Sequence, residues 1–275
     1  MKVEDCIVTV ERRSIGGCID LAFVFGRQFA RPLLGLTFCF AVPSTLMTWF
    51  IGSSMRHDVL LPALLIFAFF NMLLSGAMVA TVGPQVFGVP MSVRAALKSL
   101  MGRLISYSFL ATLARSTGFC VFIPLIFVMS WCGHLPEVMF LERTPLNQLT
   151  QRLSWLTKGG GYSRNIGRVI TLTFFWAVSA FGVFMLMDIL SGWIFNAPIF
   201  FGTIAPGPDQ VKAFQSKVLD DPWLLTMVQV ALWVTYPIVR LAWFFCYLDQ
   251  RIRNECWDLE LQFRVEAGRI EEQFV

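Results

Sequence analysis

Charged side chains are scarce in this sequence. Only 15% of its 275 residues are Asp, Glu, Lys or Arg, whereas soluble domains usually carry about a quarter. Hydrophobic residues make up 56% of the chain, and the mean hydropathy is +0.65. Several apolar runs approach or exceed the roughly 20 residues that a helix needs to cross a bilayer. The composition therefore argues against an ordinary soluble domain and predicts an all-α integral membrane protein.

Histidines and closely spaced cysteines are also scarce. His57 and His134 stand far apart and are each predicted to be a polar edge residue, and the seven cysteines include no CxxC pair. Buried free thiols are therefore expected rather than a metal site or a disulfide framework. No Ser/His/Asp or Cys/His arrangement is evident, so we predict no catalytic residues, no cofactor and no enzyme activity. A nucleic-acid partner is not expected either.

Six apolar segments are predicted to span the membrane. Their predicted bounds are 33–52, 59–82, 104–115, 119–141, 169–194 and 223–248. Residues 104–141 are too many for a single crossing, because a helix rises only about 1.5 Å per residue. A turn near Arg115–Gly118 would make them a hairpin, and one long span is the alternative. Asp221 followed by Pro222 predicts the start of the sixth span.

Three amphipathic helices are predicted at the membrane surface, over 14–31, 92–103 and 144–158. Each begins with Ser or Thr, whose side-chain oxygen can cap free backbone N–H groups. In the third, Thr144 is the expected cap and Pro145 the first helical residue. A surface helix followed by a helical hairpin recurs three times, which indicates an internal repeat. Any interfacial helix needs a cap, an apolar stripe and basic flanks, so the same pattern is also explained without an internal repeat.

Positive charge is distributed unevenly. Most of the 22 Lys and Arg residues fall in the N-terminal arm, the surface segments or the tail. The exceptions are Arg56, Arg115, Lys212, Lys217 and Arg240. The positive-inside rule then places all three amphipathic helices on the inner leaflet and both termini in the cytoplasm. The predicted divisions are a cytoplasmic arm with the first interfacial helix (1–31), a six-span membrane domain (32–248) and a cytoplasmic amphipathic tail (249–275).

Several motifs resemble a bacterial family. They are Ile123-Pro124, Pro136, Glu142, the segment QRLSWLTKGGGYSRNIGR at 151–168, Tyr247–Glu255 and Trp257–Leu261. Together, over about 104–261, they resemble the membrane domain of glycerophosphoryl diester phosphodiesterases and its stand-alone multi-span relatives. Leu125 stands where that group often has a glycine. The hydrolase domain is absent from this sequence, so the resemblance implies a membrane module of the bacterial inner membrane and not a phosphodiesterase.

Four ionisable residues lie at predicted membrane depth, where charge is costly and is a default sign of function. From their depths we predict two pairs, Glu137 with Arg240 and Arg115 with Asp188. Structural pairing is the first interpretation, and an ion or substrate path is the alternative.

Two further groups are candidate binding residues. A turn before an apolar run would present backbone N–H groups to a phosphate or lipid headgroup; a helix cap and turn is the alternative. The residues of this turn are Lys158, Gly159, Gly160, Gly161, Ser163 and Arg164. The tail offers charged candidates for partner binding. They are Asp249, Arg251, Arg253, Glu255, Asp258 and Glu260.

Together these features predict a non-catalytic membrane subunit or scaffold. It would bind a partner protein in a membrane complex, or organise membrane lipids, at the cytoplasmic face. A small transporter or permease-like protein is the main alternative, although paired broken helices are lacking. A membrane-embedded enzyme is the third interpretation, and clustered nucleophiles, bases or metal ligands are lacking for it.

Overall fold

The computed structural model describes residues 11–55, 58–86, 88, 90, 92–120, 122–196, 198, 200, 215 and 217–255. Every regular element in these ranges is helical, which confirms the all-α prediction. Helices α1 to α8 are Ile15–Gln28, Ala30–Ser54, Leu60–Val86, Val93–Cys120, Phe122–Cys132, Leu149–Leu156, Gly161–Phe195 and Pro222–Glu255. A π-helix (Glu137–Leu141) and a 3-10 helix (Leu146–Gln148) lie between α5 and α6.

Five segments of the described chain are long and apolar enough to cross a membrane. They are Ala30–Ser54, Leu60–Val86, Pro124–Leu141, Gly161–Phe195 and Pro222–Glu255. The protein is thus all-helical and has the composition of a multi-pass membrane protein. The predicted short span 104–115 is not among the five.

The region around α4 corrects the position of the turn in the predicted hairpin. The predicted surface helix 92–103 and the predicted short span from 104 both lie in α4, and a kink with non-helical backbone at Arg103 (φ −130°, ψ 15°) separates them where the sequence predicts the boundary. The predicted turn near Arg115–Gly118 is helical too, since α4 continues to Cys120. Once a helix has formed, each added residue contributes a hydrogen bond without a new nucleation cost. Arg115 alone is therefore too weak a signal to end it.

The third surface helix is shorter than predicted. Pro145 is extended (φ −69°, ψ 150°) and flanks the 3-10 helix with no side-chain cap, so the expected Thr144 cap is wrong. The α-helix begins only at Leu149. By contrast, the Ser14 and Asp221 caps are confirmed. Ser14 Oγ accepts the N–H of Gly17 at 3.2 Å, and the Asp221 carboxylate accepts that of Trp223 at 2.9 Å.

The predicted boundary at 31/32 lies within α2, which begins at Ala30, and two more predicted boundaries fall inside continuous helices. The basic segment before the fifth span, 161–168, is the start of α7 rather than a turn. The predicted boundary at 248/249 lies within α8, which continues to Glu255. In both places charged side chains find partners within the protein, so they do not oblige the helix to stop where the apolar run ends.

The chain divides into two compact units, which do not follow the predicted domains. Unit 1 takes its described residues from 1–33, 75–172 and 238–275, and unit 2 from 34–74 and 173–237. In unit 1, the rings of Tyr107 and Phe140 pack edge to face at 5.0 Å. In unit 2, Trp233 packs against Phe67 at 5.2 Å. All the contacts of the candidate site described below lie in unit 1.

Candidate functional site

A buried ion pair joins the π-helix to α8. Arg240 Nη2 donates to Glu137 Oε1 at 2.7 Å, and the two side chains are 5% and 0% exposed. The structure thus brings together one of the two pairs predicted from depth. The neighbouring turn is held by Trp243, whose indole N–H donates to the carbonyl of Gly133 at 3.0 Å. The π-helix has a wider turn than an α-helix, and such turns are frequent at functional sites.

A second buried ion pair joins α7 to α8. Arg168 donates to the Asp249 carboxylate, and the two side chains are 2% and 1% exposed. Arg168 also donates to the carbonyl of Cys246 at 2.9 Å and to the side-chain oxygen of Gln250 at 3.3 Å. One guanidinium therefore satisfies three acceptors on α8, as its fork of donors allows.

Asp249 is shared with two further arginines. Arg253, one turn further along α8, donates to it at 2.9 Å, and the backbone N–H of Arg13 does so at 2.8 Å. Arg253 in turn donates to the Arg13 carbonyl at 3.2 Å. The residues just before α1 are thereby tied to α8. Asp249 and Arg253, both predicted as partner-binding residues of the tail, are engaged within the chain itself.

Glu142, which follows the π-helix, is the centre of a further set of ion pairs. Arg152 binds it with two nitrogens, at 2.6 and 2.8 Å, and the Tyr247 hydroxyl donates to it at 2.5 Å. Glu255 accepts from the same Arg152 and from Arg251, the latter at 2.6 Å. We call these residues, with the set around Asp249, the ion-pair cluster. Its members are Glu142, Arg152, Arg168, Tyr247, Asp249, Arg251, Arg253 and Glu255.

The protonation of Glu142 follows from these contacts. Burial by itself raises the pKa of Glu142, but the hydrogen bonds from Arg152 and Tyr247 outweigh it and hold the pKa below its usual 4.5. A carboxylate whose pKa is lower folded than unfolded stabilises the fold above the unfolded value and loses that contribution as pH falls.

Acidification is therefore expected to lower the thermal midpoint of the purified protein. The contribution of Glu142 is complete above about pH 4.5 and disappears as the pH falls through the lower, folded-state pKa. Thermal unfolding in detergent, measured at several values between neutral pH and pH 3, would show the decline. In the Glu142→Gln variant the decline should be shallower, and an identical pH profile would contradict the assignment.

The remaining predicted site residues do not belong to the ion-pair cluster. Asp188 accepts the backbone N–H of Phe200 at 2.8 Å within unit 2, whereas Arg115 belongs to unit 1. Their pairing stays a prediction. Asp258 and Glu260 lie outside the described residues.

The predicted glycine turn precedes α7. Gly159 and Gly160 have positive φ, at 59° and 80°, which a glycine adopts without steric cost. Gly161 is the first residue of α7, so Ser163 and Arg164 lie in its first turn. This geometry is compatible with both the helix-cap alternative and the anion site, and the anion site stays a prediction.

Sequence reasoning missed several cluster residues. Arg168 and Tyr247 are among them, and they are 2% and 0% exposed. Outside the cluster, His134 is predicted to be a polar edge residue and is also only 2% exposed. A signal was available in α8, where residues of mixed polarity recur at alternating spacings of three and four and so share one face. They are Arg240, Trp243, Tyr247, Gln250 and Asn254. Their partners on other segments have no such pattern.

Within the described ranges, no group of three or more His, Cys, Asp or Glu residues is placed to hold a metal ion. The chain has no match among protein-family models, curated proteins or solved structures. The resemblance to the phosphodiesterase membrane domain therefore stays a prediction. The fold of the described residues defines the class of the protein, an all-helical chain in which five of the described helical segments are long and apolar enough to cross a membrane.

Proposed function

We propose that this chain is a non-catalytic, multi-pass subunit of a membrane complex that binds a partner protein. The proposal includes the bacterial inner membrane as its location, six spans, three inner-leaflet amphipathic helices and both termini in the cytoplasm. Organisation of lipid at the cytoplasmic face is the other form of the same scaffold role.

The ion-pair cluster carries the proposal. Its carboxylates are engaged by arginines of the same chain, as with Glu142 and Arg152 at 2.6 Å. Charges used in this way fasten segments of unit 1 to one another, namely the residues just before α1, the end of the π-helix, α6, α7 and α8. Bidentate and shared arginine contacts are geometrically specific. Such an arrangement suits a rigid platform for another molecule.

The exposed face of α4 supports a sixth membrane-embedded helix. Beyond the kink at Arg103, Ile105, Phe109 and Leu113 recur every four residues and are 60–86% exposed. Residues at this spacing share one face of a helix. A continuous apolar face of this kind is costly in water and is suited to lipid or to a partner helix.

The exposed face of α7 is where we place the partner. Only 17% of the most apolar stretch of α7 is buried, against 56% for α8. Phe174 and Phe181, seven residues apart on that face, are 70% and 59% exposed.

Photo-crosslinking at Phe181 tests the subunit proposal. A photoreactive amino acid there should give a discrete protein adduct after irradiation of cells, because the side chain faces away from the chain's own core. Phe184, three residues on and 8% exposed, is the matched control and should give none. Adducts to phospholipid alone would contradict partner binding and favour lipid organisation.

Labelling with a membrane-impermeant thiol reagent tests the proposed orientation. A cysteine at Gln151, exposed in α6, should be protected in intact cells and react after lysis. A cysteine at Met55, 41% exposed after α2, should react in both states. The thiol labelling of each variant is measured relative to that of the parent chain, which has seven cysteines of its own. Labelling of Gln151→Cys in intact cells would overturn the topology.

A small transporter is the second candidate. The observation that favours it is the presence of unpartnered polar atoms on buried side chains of predicted spans, such as Glu137. Solute movement by the isolated protein in liposomes would support this function over the subunit role.

A further inference from the structure

Two pairs of basic side chains lie on the surface of unit 1. Arg27 and Arg31 flank the junction between α1 and α2, and Arg94 and Lys98 lie in the first two turns of α4. All four residues are exposed, and none of their side chains makes a hydrogen bond or ion pair with another described residue. Their positive charge is therefore not neutralised by the described part of the chain.

Other basic residues of unit 1 are used within the fold. Arg168 and Arg240 bind buried carboxylates, and Arg103 donates to three backbone carbonyls at 2.9 to 3.2 Å. The acidic residue of α1, Asp20, lies seven residues before Arg27, which is about 10 Å along a helix and too far for a direct ion pair. The two exposed pairs are thus a separate group of charges.

The junction between α1 and α2 keeps Arg27 and Arg31 on one face. The N–H of Phe29 bonds to the carbonyl of Phe25 at 2.9 Å, and that of Leu33 bonds to the carbonyl of Phe29 at 3.2 Å. The helical hydrogen-bond pattern therefore continues through the junction. Residues four apart in a helix have Cβ atoms about 5–6 Å from each other. Two guanidinium groups at this distance can bind one phosphate together.

The other side of α1 is fixed against α8. The rings of Phe25 and Phe245 pack edge to face with centroids 5.7 Å apart. A Cβ atom added at Gly26 would come within 2.8 Å of Ile238 Cδ1, so the two helices approach closely at this glycine. This packing fixes the rotation of α1 and holds the side of Arg27 away from the core of unit 1.

The start of α4 has the same arrangement. Arg94 and Lys98 are four residues apart in the part of α4 that precedes the kink at Arg103. Ala96 and Leu100, on the opposite side of this helix, are 1% and 3% exposed. The second basic pair is therefore also held on the outer side of a helix whose inner side is buried.

An exposed apolar side chain follows each basic pair by one turn. Leu34, three residues after Arg31, is 53% exposed, and Met101, three residues after Lys98, is 68% exposed. Arg31 also lies in the first turn of α2, which is a candidate membrane span. A free phosphate or an acidic peptide would leave these apolar side chains in water. An anionic phospholipid instead presents a phosphate next to its acyl chains, so it matches both the charge and the apolar surface.

We propose that the Arg27–Arg31 pair and the Arg94–Lys98 pair each bind the phosphate of an anionic phospholipid. The acyl chains of each lipid lie along the apolar surface that follows the pair. The proposal rests on the membrane location in the proposed function, and it does not require the partner protein.

Native mass spectrometry of the purified full chain in mild detergent tests the proposal. Phosphatidylglycerol and phosphatidylcholine, added at equal concentration, are the probes, and the chain should retain phosphatidylglycerol preferentially. The Arg27→Gln/Arg31→Gln and Arg94→Gln/Lys98→Gln variants should each retain one phosphatidylglycerol molecule fewer than the parent chain, and their combination two fewer. An unchanged number in the combined variant would overturn the proposal.

Two control variants separate the pairs from net charge. Arg27→Lys/Arg31→Lys keeps both charges and should retain as much phosphatidylglycerol as the parent chain. Arg12→Gln/Arg143→Gln removes two exposed basic residues that do not form a pair along a helix, and it should do the same. A loss in this second variant as large as in the pair variants would overturn the assignment. Displacement of the lipid by an equal concentration of glycerol phosphate would contradict the role of the acyl chains.

Photo-crosslinking at Met101 distinguishes a lipid from a protein occupant. A photoreactive amino acid there should form adducts in cells that are enriched in anionic phospholipid, and Arg94→Gln/Lys98→Gln should abolish the enrichment. Leu100, the buried neighbour, is the matched control and should give no adduct. A protein adduct at Met101 would overturn the proposal. By contrast, the lack of a protein adduct at Phe181 would overturn the subunit function and leave this lipid site standing.

Discussion

Replacing Arg240 with methionine is expected to destabilise the protein more than any other single change considered for this fold. Methionine keeps much of the apolar stem of arginine but removes the partner of Glu137, which is 0% exposed. Removing one member of a buried ion pair typically costs about 3–5 kcal/mol, because an uncompensated charge is left behind. The unfolding free energy, measured by titration with a denaturing detergent in mixed micelles, should fall by that amount.

The double variant Glu137→Leu/Arg240→Met is the matched control. It removes both charges, and apolar replacement of a buried pair is often neutral. Most of the lost stability should therefore return, even though one substitution has been added. A double variant as unstable as Arg240→Met would show that the pairing with Glu137 is not what makes the arginine important.

Arg168→Met is expected to have the next largest effect. Arg168 is 2% exposed and satisfies Asp249, the Cys246 carbonyl and Gln250. Its removal leaves two acceptors on α8 without this donor, while Asp249 keeps Arg253. We therefore expect a loss of about 3 kcal/mol, near the lower end for a broken buried pair.

Arg253→Met offers a control on the same carboxylate. Arg253 also donates to Asp249 but is 29% exposed, and the two residues are one helical turn apart. Partly exposed pairs of this kind contribute only about 0–1 kcal/mol. Comparing the two losses of unfolding free energy separates the effect of burial from the effect of charge. Equal losses in the Arg168→Met and Arg253→Met variants would contradict the explanation that burial makes Arg168 important.

Part of the candidate site was predictable because depth along a span can be read from position in the sequence. Glu137 and Arg240 were placed at similar depth, and they are 2.7 Å apart. The same reasoning treated His134 as an edge residue, because depth does not reveal which side of a helix faces the interior. Its stacking on Trp243 depends on how the turn after α5 packs against α8 in unit 1.

The ends of helices were harder to predict than their existence. Basic residues before the fifth apolar run and charged residues after the sixth were interpreted as membrane boundaries. Arg168 and Asp249 instead lie inside α7 and α8 and neutralise each other. A charge with a buried partner does not mark the end of a helix, and the partner of Arg168 is 81 residues away in the chain.

By itself, the sequence determined the class of this protein, since apolar runs of sufficient length make membrane-spanning helices whatever their neighbours. It also determined local starts such as the Asp221 cap, because a cap needs only adjacent residues. Beyond the Glu137–Arg240 pair, only the tertiary structure decided which charges pair, as with Arg168 and Asp249, and which polar side chains, such as His134, are buried. Those outcomes depend on contacts between segments distant in sequence, which no local pattern encodes.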